Sequence, residues 1–331
     1  MTNVDFPPLA NGMDYLQSVV QHLADDPGPR DLKYAVLHLQ AATEVLLKAR
    51  LEHEHWSLVF KDPGKATRKR FESGDFESCT IPETVYRLRH IAGIELDDQL
   101  EDETRRLAKD RNALQHYGLQ TPAAAVKARA AAVLDLLLSF VHEHLLSGDI
   151  PSDDELLVSE SLSFLQVQQG LNTIHAYIST RMQRMRVALE QVLERTIRCP
   201  ECDQWALVVD DRDAKGNFLC QFCREIWPSA DDLAMDYEGS LSGEPRWVQT
   251  AWGGLMTPPC PACGSEAFVE RAHLADAPEQ RRCLCFHCGR AFDDQKLALC
   301  SGCERRFLPT GTETICESCR NFGSEAARGN S

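Results

Sequence analysis

Thirteen of the fourteen cysteines lie after residue 198, and twelve of them form six Cys-x-x-Cys pairs. The pairs are Cys199/Cys202, Cys220/Cys223, Cys260/Cys263, Cys285/Cys288, Cys300/Cys303 and Cys316/Cys319. In order they make three sets of four, with 17, 21 and 12 residues between the paired turns. Two thiolates separated by two residues can reach one ion from a tight turn. Two such turns supply the four-sulfur tetrahedral shell that zinc prefers. Iron in the same shell is the alternative. No secretory leader is read in "MTNVDFPPLA" and no membrane span in "AAAVLDLLLSFV" (130–141), which Asp135 interrupts. The expected location is therefore cytoplasmic, where a reducing environment favours metal ligation over disulfides.

Between the paired turns the residues alternate as strand, turn, strand: "WALVV" to "FLC", "AFVERAHL" to "RRCLC", and "RRFL" to "TIC". This pattern resembles the zinc-ribbon family three times over, at residues 199–228, 260–293 and 294–323. Residues 229–259 read as a linker and 324–331 as a disordered tail. Four cysteines close the coordination shell, so the expected zinc is structural, with no position left for a reacting water. A zinc enzyme would need a mixed ligand set, and His273 and His287 are the only nearby histidines. Cys79 and Cys283 are left over. Cys283 is either an alternative ligand or a strand residue, and the latter is preferred.

The chain carries 35 basic and 50 acidic side chains, a net charge of −15. Residues 199–331 contribute −8, and three zinc–tetrathiolate centres, each formally −2, take that to about −14. Such a field disfavours a polyanion along the ribbons. Arg281, Arg282, Arg305 and Arg306 could form small contact patches. Protein contact or internal packing is at least as well supported, with Trp205, Trp227, Trp247 and Trp252 as candidate anchors or core residues.

Residues 1–148 read as an all-α bundle, so the fold class is α plus small β: helical bundle, linking helix, ribbon array. Apolar residues at helical spacing predict helices over 11–24, 31–54, 96–118 and 121–146. A shorter one follows Thr80 as N-cap with Glu83 at N3. Thr121 and Pro122 read as N-cap and first residue of the last helix. Residues 149–198 read as a linker leading into one long helix. Its seam of Leu171, Ile174, Ile178, Met182, Met185, Leu189, Val192 and Thr196 suits either self-association or packing on the bundle.

The helix over 96–118 ends in "KDRNALQHYG" (109–118). Arg105, Arg106, Lys109 and Arg111 put four cations within seven positions, beside Asn112, His116 and Tyr117. Helix chemistry alone explains part of this. Glu101, Asp102 and Glu103 precede the bases, as the macrodipole favours, and Glu101–Arg105 and Asp102–Arg106 are (i, i+4) pairs.

A bundle with "AVLHLQAATEVLLKARL" (35–51) early and "RNALQH" (111–116) late resembles the HEPN superfamily. Its ribonuclease members carry Arg, a polar residue, then His four to six positions beyond the Arg. The resemblance covers roughly residues 10–146 and implies a metal-independent endoribonuclease. His116 would be the acid/base group and Arg111 would stabilise the phosphorane. Asn112 would orient either one, while Arg105, Arg106, Lys109 and Tyr117 would bind substrate. Some members place a Tyr two residues past the His; here that position is Gly118, and Tyr117 follows directly. One histidine per chain implies a homodimer with two motifs in a shared cleft, RNA as partner, and products ending in 2′,3′-cyclic phosphate and 5′-OH. The family also implies a place among toxins or defence effectors. The ribbons would target or regulate, with a protein as their partner. HEPN domains that bind nucleotide without cleaving leave an adaptor reading open.

Overall fold

Apolar residues recurring every three or four positions make the front of the chain helical, and the longest such run becomes its centre. The computed structural model describes residues 6–146, 155–213, 215–242 and 257–320. The chain divides into two units, Met1–Arg184 and Met185–Ser331.

The first unit contains α1 (Pro8–Leu23), α2 (Pro29–Glu54), α3 (Arg68–Ser73), α4 (Ile81–His90), α5 (Asp98–His116), α6 (Ala123–Val141), α7 (Glu155–Leu171) and the start of α8 (His175–Leu189). Helix α2 packs against α1, α4, α5 and α6. Its Ala35, Leu39, Ala42, Leu46, Leu47 and Leu51 are fully buried. Helix α1 crosses α2 closely at Gly12, where an added Cβ would sit 2.4 Å from Leu46 Cδ2.

Helix α4 begins with the expected reciprocal cap. Thr80 N–H donates to Glu83 Oε2 at 2.7 Å, and Thr80 Oγ accepts from Glu83 N–H at 3.4 Å. These bonds from Thr80 hold the Glu83 carboxyl below its usual range. Helix α6 differs from expectation. It starts at Ala123 with Pro122 as N-cap and no side-chain cap, so Thr121 stays exposed outside it. A proline N-cap supplies the extended entry without any side-chain acceptor.

The stretch read as one linking helix is two. Helix α7 ends at Leu171, and α8 starts at His175 after a turn in which Thr173 Oγ donates to Gly170 O at 2.9 Å. Packing decides the break: α7 lies on α1, and Leu171, Ile174 and Tyr177 are buried. Part of the seam read as available for self-association is therefore already covered. Residues 147–154 of the linker lie outside the described residues.

Asp135, which interrupted an apolar run in the sequence, is buried at 1% exposure and ion-paired with Arg181 of α8. Arg184 adds a second bond at 2.7 Å. Both partners belong to the first unit, so this pair pins the start of α8 to α6. Among the described residues no helix is long and apolar enough to cross a membrane.

The second unit holds β1 (Thr196–Arg198), β2 (Trp205–Arg212), β3 (Phe218–Cys220) and β4 (Ile226–Trp227) in one antiparallel sheet. A second sheet is β5 (Phe268–Leu274), β6 (Ala277–Cys285) and β7 (Ala291–Phe292). A third pairs β8 (Ala298–Leu299) with β9 (Arg306–Phe307). The expected strand at "TIC" (314–316) does not form; β9 instead pairs with residues that precede the first cysteine turn. The short gap carries Pro309 and a turn in which Glu313 accepts from Thr310 and Gly311 N–H at 2.6 and 3.0 Å. That leaves no extended partner for β9.

The segment read as linker, 229–259, contains helix α9 (Ala230–Ser242), capped by Ser229 Oγ accepting from Asp232 N–H at 3.0 Å. Buried Tyr237 accepts from His273 N–H at 2.9 Å and stacks edge-on with Phe286, tying α9 to the second sheet. Residues 243–256, with Trp247 and Trp252, lie outside the described residues, as does the tail at 324–331.

Replacing Asp135 by Ala is expected to lower the unfolding free energy by about 3–5 kcal/mol, because Arg181 is left buried without its carboxylate. Replacing half-exposed Arg184 by Ala should cost about 1 kcal/mol or less. Denaturant titrations of the two variants check the difference.

Candidate functional site

The structure brings the cysteines together as three sets of four: Cys199, Cys202, Cys220 and Cys223; Cys260, Cys263, Cys285 and Cys288; Cys300, Cys303, Cys316 and Cys319. Within each set all sulfurs lie within 4.8 Å of one another. Measured edges are 3.7 Å for Cys199–Cys223, 3.8 Å for Cys202–Cys220, 4.0 Å for Cys260–Cys288, and 3.7 Å for Cys263–Cys285 and Cys303–Cys316. A tetrahedron with metal–sulfur bonds of about 2.3 Å has edges of about 3.8 Å, so the sets fit one ion each.

One backbone device builds these turns. In the first five, the residue after the second cysteine has positive φ: Asp203, Arg224, Gly264, Gly289 and Glu304. Its N–H returns to the carbonyl of the first cysteine, for example Gly264 to Cys260 at 2.9 Å. The first cysteine's own N–H reaches the carbonyl five residues on, as in Cys260 to Ser265 at 2.8 Å. The sixth turn is helical instead, and Arg320 N–H bonds Cys316 O at 3.0 Å.

Backbone donors also reach sulfur. Cys300 Sγ accepts from Cys316 N–H at 3.2 Å and Gly302 N–H at 3.4 Å. The Cys316 bond leads in drawing the Cys300 thiol down to about 6. Three other ligand thiols are raised by burial and by neighbouring sulfurs. Neighbouring Cys202 leads in pushing Cys199 far up, burial does the same to Cys285, and Cys303 leads in raising Cys319 to about 12. Four such sulfurs cannot all ionise at these separations without a cation between them.

Cys283 takes no part in the second set. It sits in a core with Phe268 and Phe292, its Sγ against Glu270 O at 3.6 Å, and burial pushes its thiol up to about 11. Cys79 is buried beside Thr84 Oγ1 at 3.2 Å. Of the four arginines considered as contact patches, Arg282 pairs with Asp276 and Arg306 with Glu270 and Asp294. Arg281 and Arg305 are exposed.

The second candidate is the end of α5. Tyr117 closes the helix, and Gly118 turns the chain away at φ 91°. Beneath it, buried Asp110 is ion-paired with Arg129 of α6. Sequence reading missed this pair, since Asp110 differs in no local way from its acidic neighbours.

Arg111 is half-buried and donates to Asn112 Oδ1 at 2.9 Å and Gln115 Oε1 at 3.2 Å. His116 is exposed and has no hydrogen bond among the described residues. Five helical residues separate Arg111 from His116, about 140° around the axis. Asn112 and His116 share a face at (i, i+4).

The other candidate residues divide. Arg105 is engaged by Glu101 and Asp102 at 2.8 and 2.9 Å, and Arg106 by Glu103 at 2.6 Å. Lys109 is exposed with no ion pair among the described residues, and Tyr117 is 81% exposed. Comparison of the chain with protein-family models, curated proteins and solved structures finds no match.

Replacing Asp110 by Ala is expected to cost about 1–3 kcal/mol by stranding Arg129. Faster amide exchange over 111–117 than in the parent would report the loosened end of α5. Arg105→Ala should leave both measurements nearly unchanged.

Proposed function

We propose that the first unit is a metal-independent endoribonuclease of the HEPN type and that the three thiol clusters of the second unit bind structural zinc. The observation that carries the first part is the end of α5. There a guanidinium is bonded to the Asn112 amide, an accessible imidazole follows four residues after Asn112 on the same face, and no carboxylate is paired to Arg111 among the described residues.

RNA brings its own nucleophile. One imidazole takes the proton from a 2′-OH as that oxygen attacks the adjacent phosphorus. Arg111 offers paired N–H donors to the phosphorane oxygens and stays charged throughout. A second, protonated imidazole gives its proton to the departing 5′-oxygen. The products are a 2′,3′-cyclic phosphate and a 5′-OH. Each chain supplies one His116, so the second imidazole comes from a second copy, in a homodimer whose two motifs face one cleft.

Closed four-sulfur shells and edges near those of a zinc tetrahedron support a structural metal. Bound zinc would supply about 10–16 kcal/mol of folding free energy per small unit. A reducing cytoplasm would keep the thiols available as ligands. The ribbons would then target or regulate the helical unit, with a protein surface as their partner.

One observation favours a second reading, a non-cleaving adaptor that holds a nucleotide or partner. The chain is net −15, and Arg105 and Arg106 are neutralised within their own helix.

Purified protein is expected to cleave single-stranded RNA in the presence of EDTA, with a bell-shaped pH profile. His116→Ala and Arg111→Ala should each lower the rate at least about a hundredfold with unchanged helical circular dichroism. Saturable binding with no cleavage from pH 5 to 9 would select the adaptor. Elemental analysis should find three zinc ions per chain, and Cys202→Ser and Cys263→Ser should each lose about one.

A further inference from the structure

Beside the motif, a cavity of about 290 Å³ opens between α2, α5 and α6. Its inner wall is buried Leu32, Val36 and Val126, and Leu114 and Leu119 flank it. Leu114 lies about 60° around the helix from Arg111. Leu119 and Thr121 follow His116 on the loop that Gly118 turns. On α5 the hollow adjoins the Arg111 side of the helix, Leu114 lying about 160° around the axis from His116, and on the loop it is lined by Leu119 and Thr121.

Its rim carries one cation, Lys33, with Arg30 three residues earlier on α2 and outside the lining. Lys33 lines it, and Lys33 Nζ lies 5.6 Å from the Tyr34 ring, where Arg30 lies at 5.8 Å. Both cations are exposed, and neither has a carboxylate partner among the described residues. Arg105 and Arg106, by contrast, are held by their own helix's acids. Thr121 is exposed at the rim, and its hydroxyl is not spent on capping α6.

We propose that this hollow receives a nucleobase of the RNA next to the scissile phosphate, with Lys33 and Arg30 gripping the neighbouring phosphate. The inference rests on the ribonuclease reading for its substrate. A volume at the low end of ligand cavities, about 300–1,000 Å³, suits one flat heterocycle. Apolar walls stack a base without needing its hydrogen-bond edge, and the Thr121 hydroxyl is placed to meet that edge. The free cations set the phosphate path along the start of α2, away from the acidic front of α5.

The test uses the full chain carrying His116→Ala and single-stranded oligoribonucleotides with 4-thiouridine at each position in turn. Irradiation should crosslink one position to peptides containing Lys33 or residues 114–121. Ala123→Trp, which fills the exposed rim, should reduce that crosslink about tenfold, as expected for one lost base contact. Lys33→Gln with Arg30→Gln should lower the slope of log affinity against log salt by about 1.4. The proposal is overturned by crosslinks that avoid the groove, by no crosslink at all, or by an Ala123→Trp protein that binds like its parent. It is also overturned if Ala123→Trp converts a dimer to monomer in sedimentation, since a second copy then fills the hollow. Groove crosslinks without cleavage by the parent protein would leave the base site standing and remove the nuclease. Cleavage with unchanged groove variants would do the reverse.

Discussion

Four thiol sulfurs within 4.8 Å of one another, three times over, are the constraint on which the second unit depends. Each set draws the ends of a hairpin or loop to a single point, and the peptide around it follows. The left-handed residue after the second cysteine, the returning N–H and the backbone bonds to sulfur all serve to aim two side chains at one place. The sheets between are short, β4, β7, β8 and β9 having two residues each. Strands of that length do not persist by their own ladders. They persist because the sulfurs close them and because neighbouring modules share cores. Leu297 and Leu308 pack against the core around Phe268 and Cys283, and α9 reaches the second sheet through Tyr237.

The first unit works by another principle. Its centre is α2, whose buried side chains are mostly apolar, and two ion pairs lie in its interior. Asp135 with Arg181, and Asp110 with Arg129, set α8 against α6 and α6 against α5. Such pairs add little net energy but penalise wrong arrangements, because an unpaired buried charge is costly. Asp110 of the second pair precedes Arg111 in α5, about 100° around the axis from it. Asn112 and His116 are exposed and Arg111 is half-buried, on a helix that the buried Asp110 carboxylate ties to α6, which helps a surface motif keep a defined geometry.

The thiol clusters were legible because cysteine spacing leaves few alternatives: two residues between ligands, a turn, and the same again. Most helices of the first unit were legible from periodicity, and the start of α4 from Thr80 and Glu83. The third module's strand pairing was not, because two-residue strands carry no periodic signal, and its partner lay before the first cysteine. Helix α9 was hidden in the segment between the first two cysteine sets that was read as linker. The break at 172–174 interrupts an apolar spacing that runs on unchanged, so only packing against α1 reveals it.

At the candidate site, residue identity named Arg111, Asn112 and His116 but could not say which cations were free. Arg105, Arg106 and Lys109 look alike in sequence, and local carboxylates engage the first two alone. Lys33 and Arg30 are some eighty residues from the motif, and no local pattern joins them to it. What the sequence determined by itself is whatever depends on neighbours along the chain: ligand spacing, helical faces, caps. What only the tertiary structure decided is which charges are spent, which helix bends away, and where a hollow opens. Those outcomes depend on contacts between residues distant in sequence, which spacing does not encode.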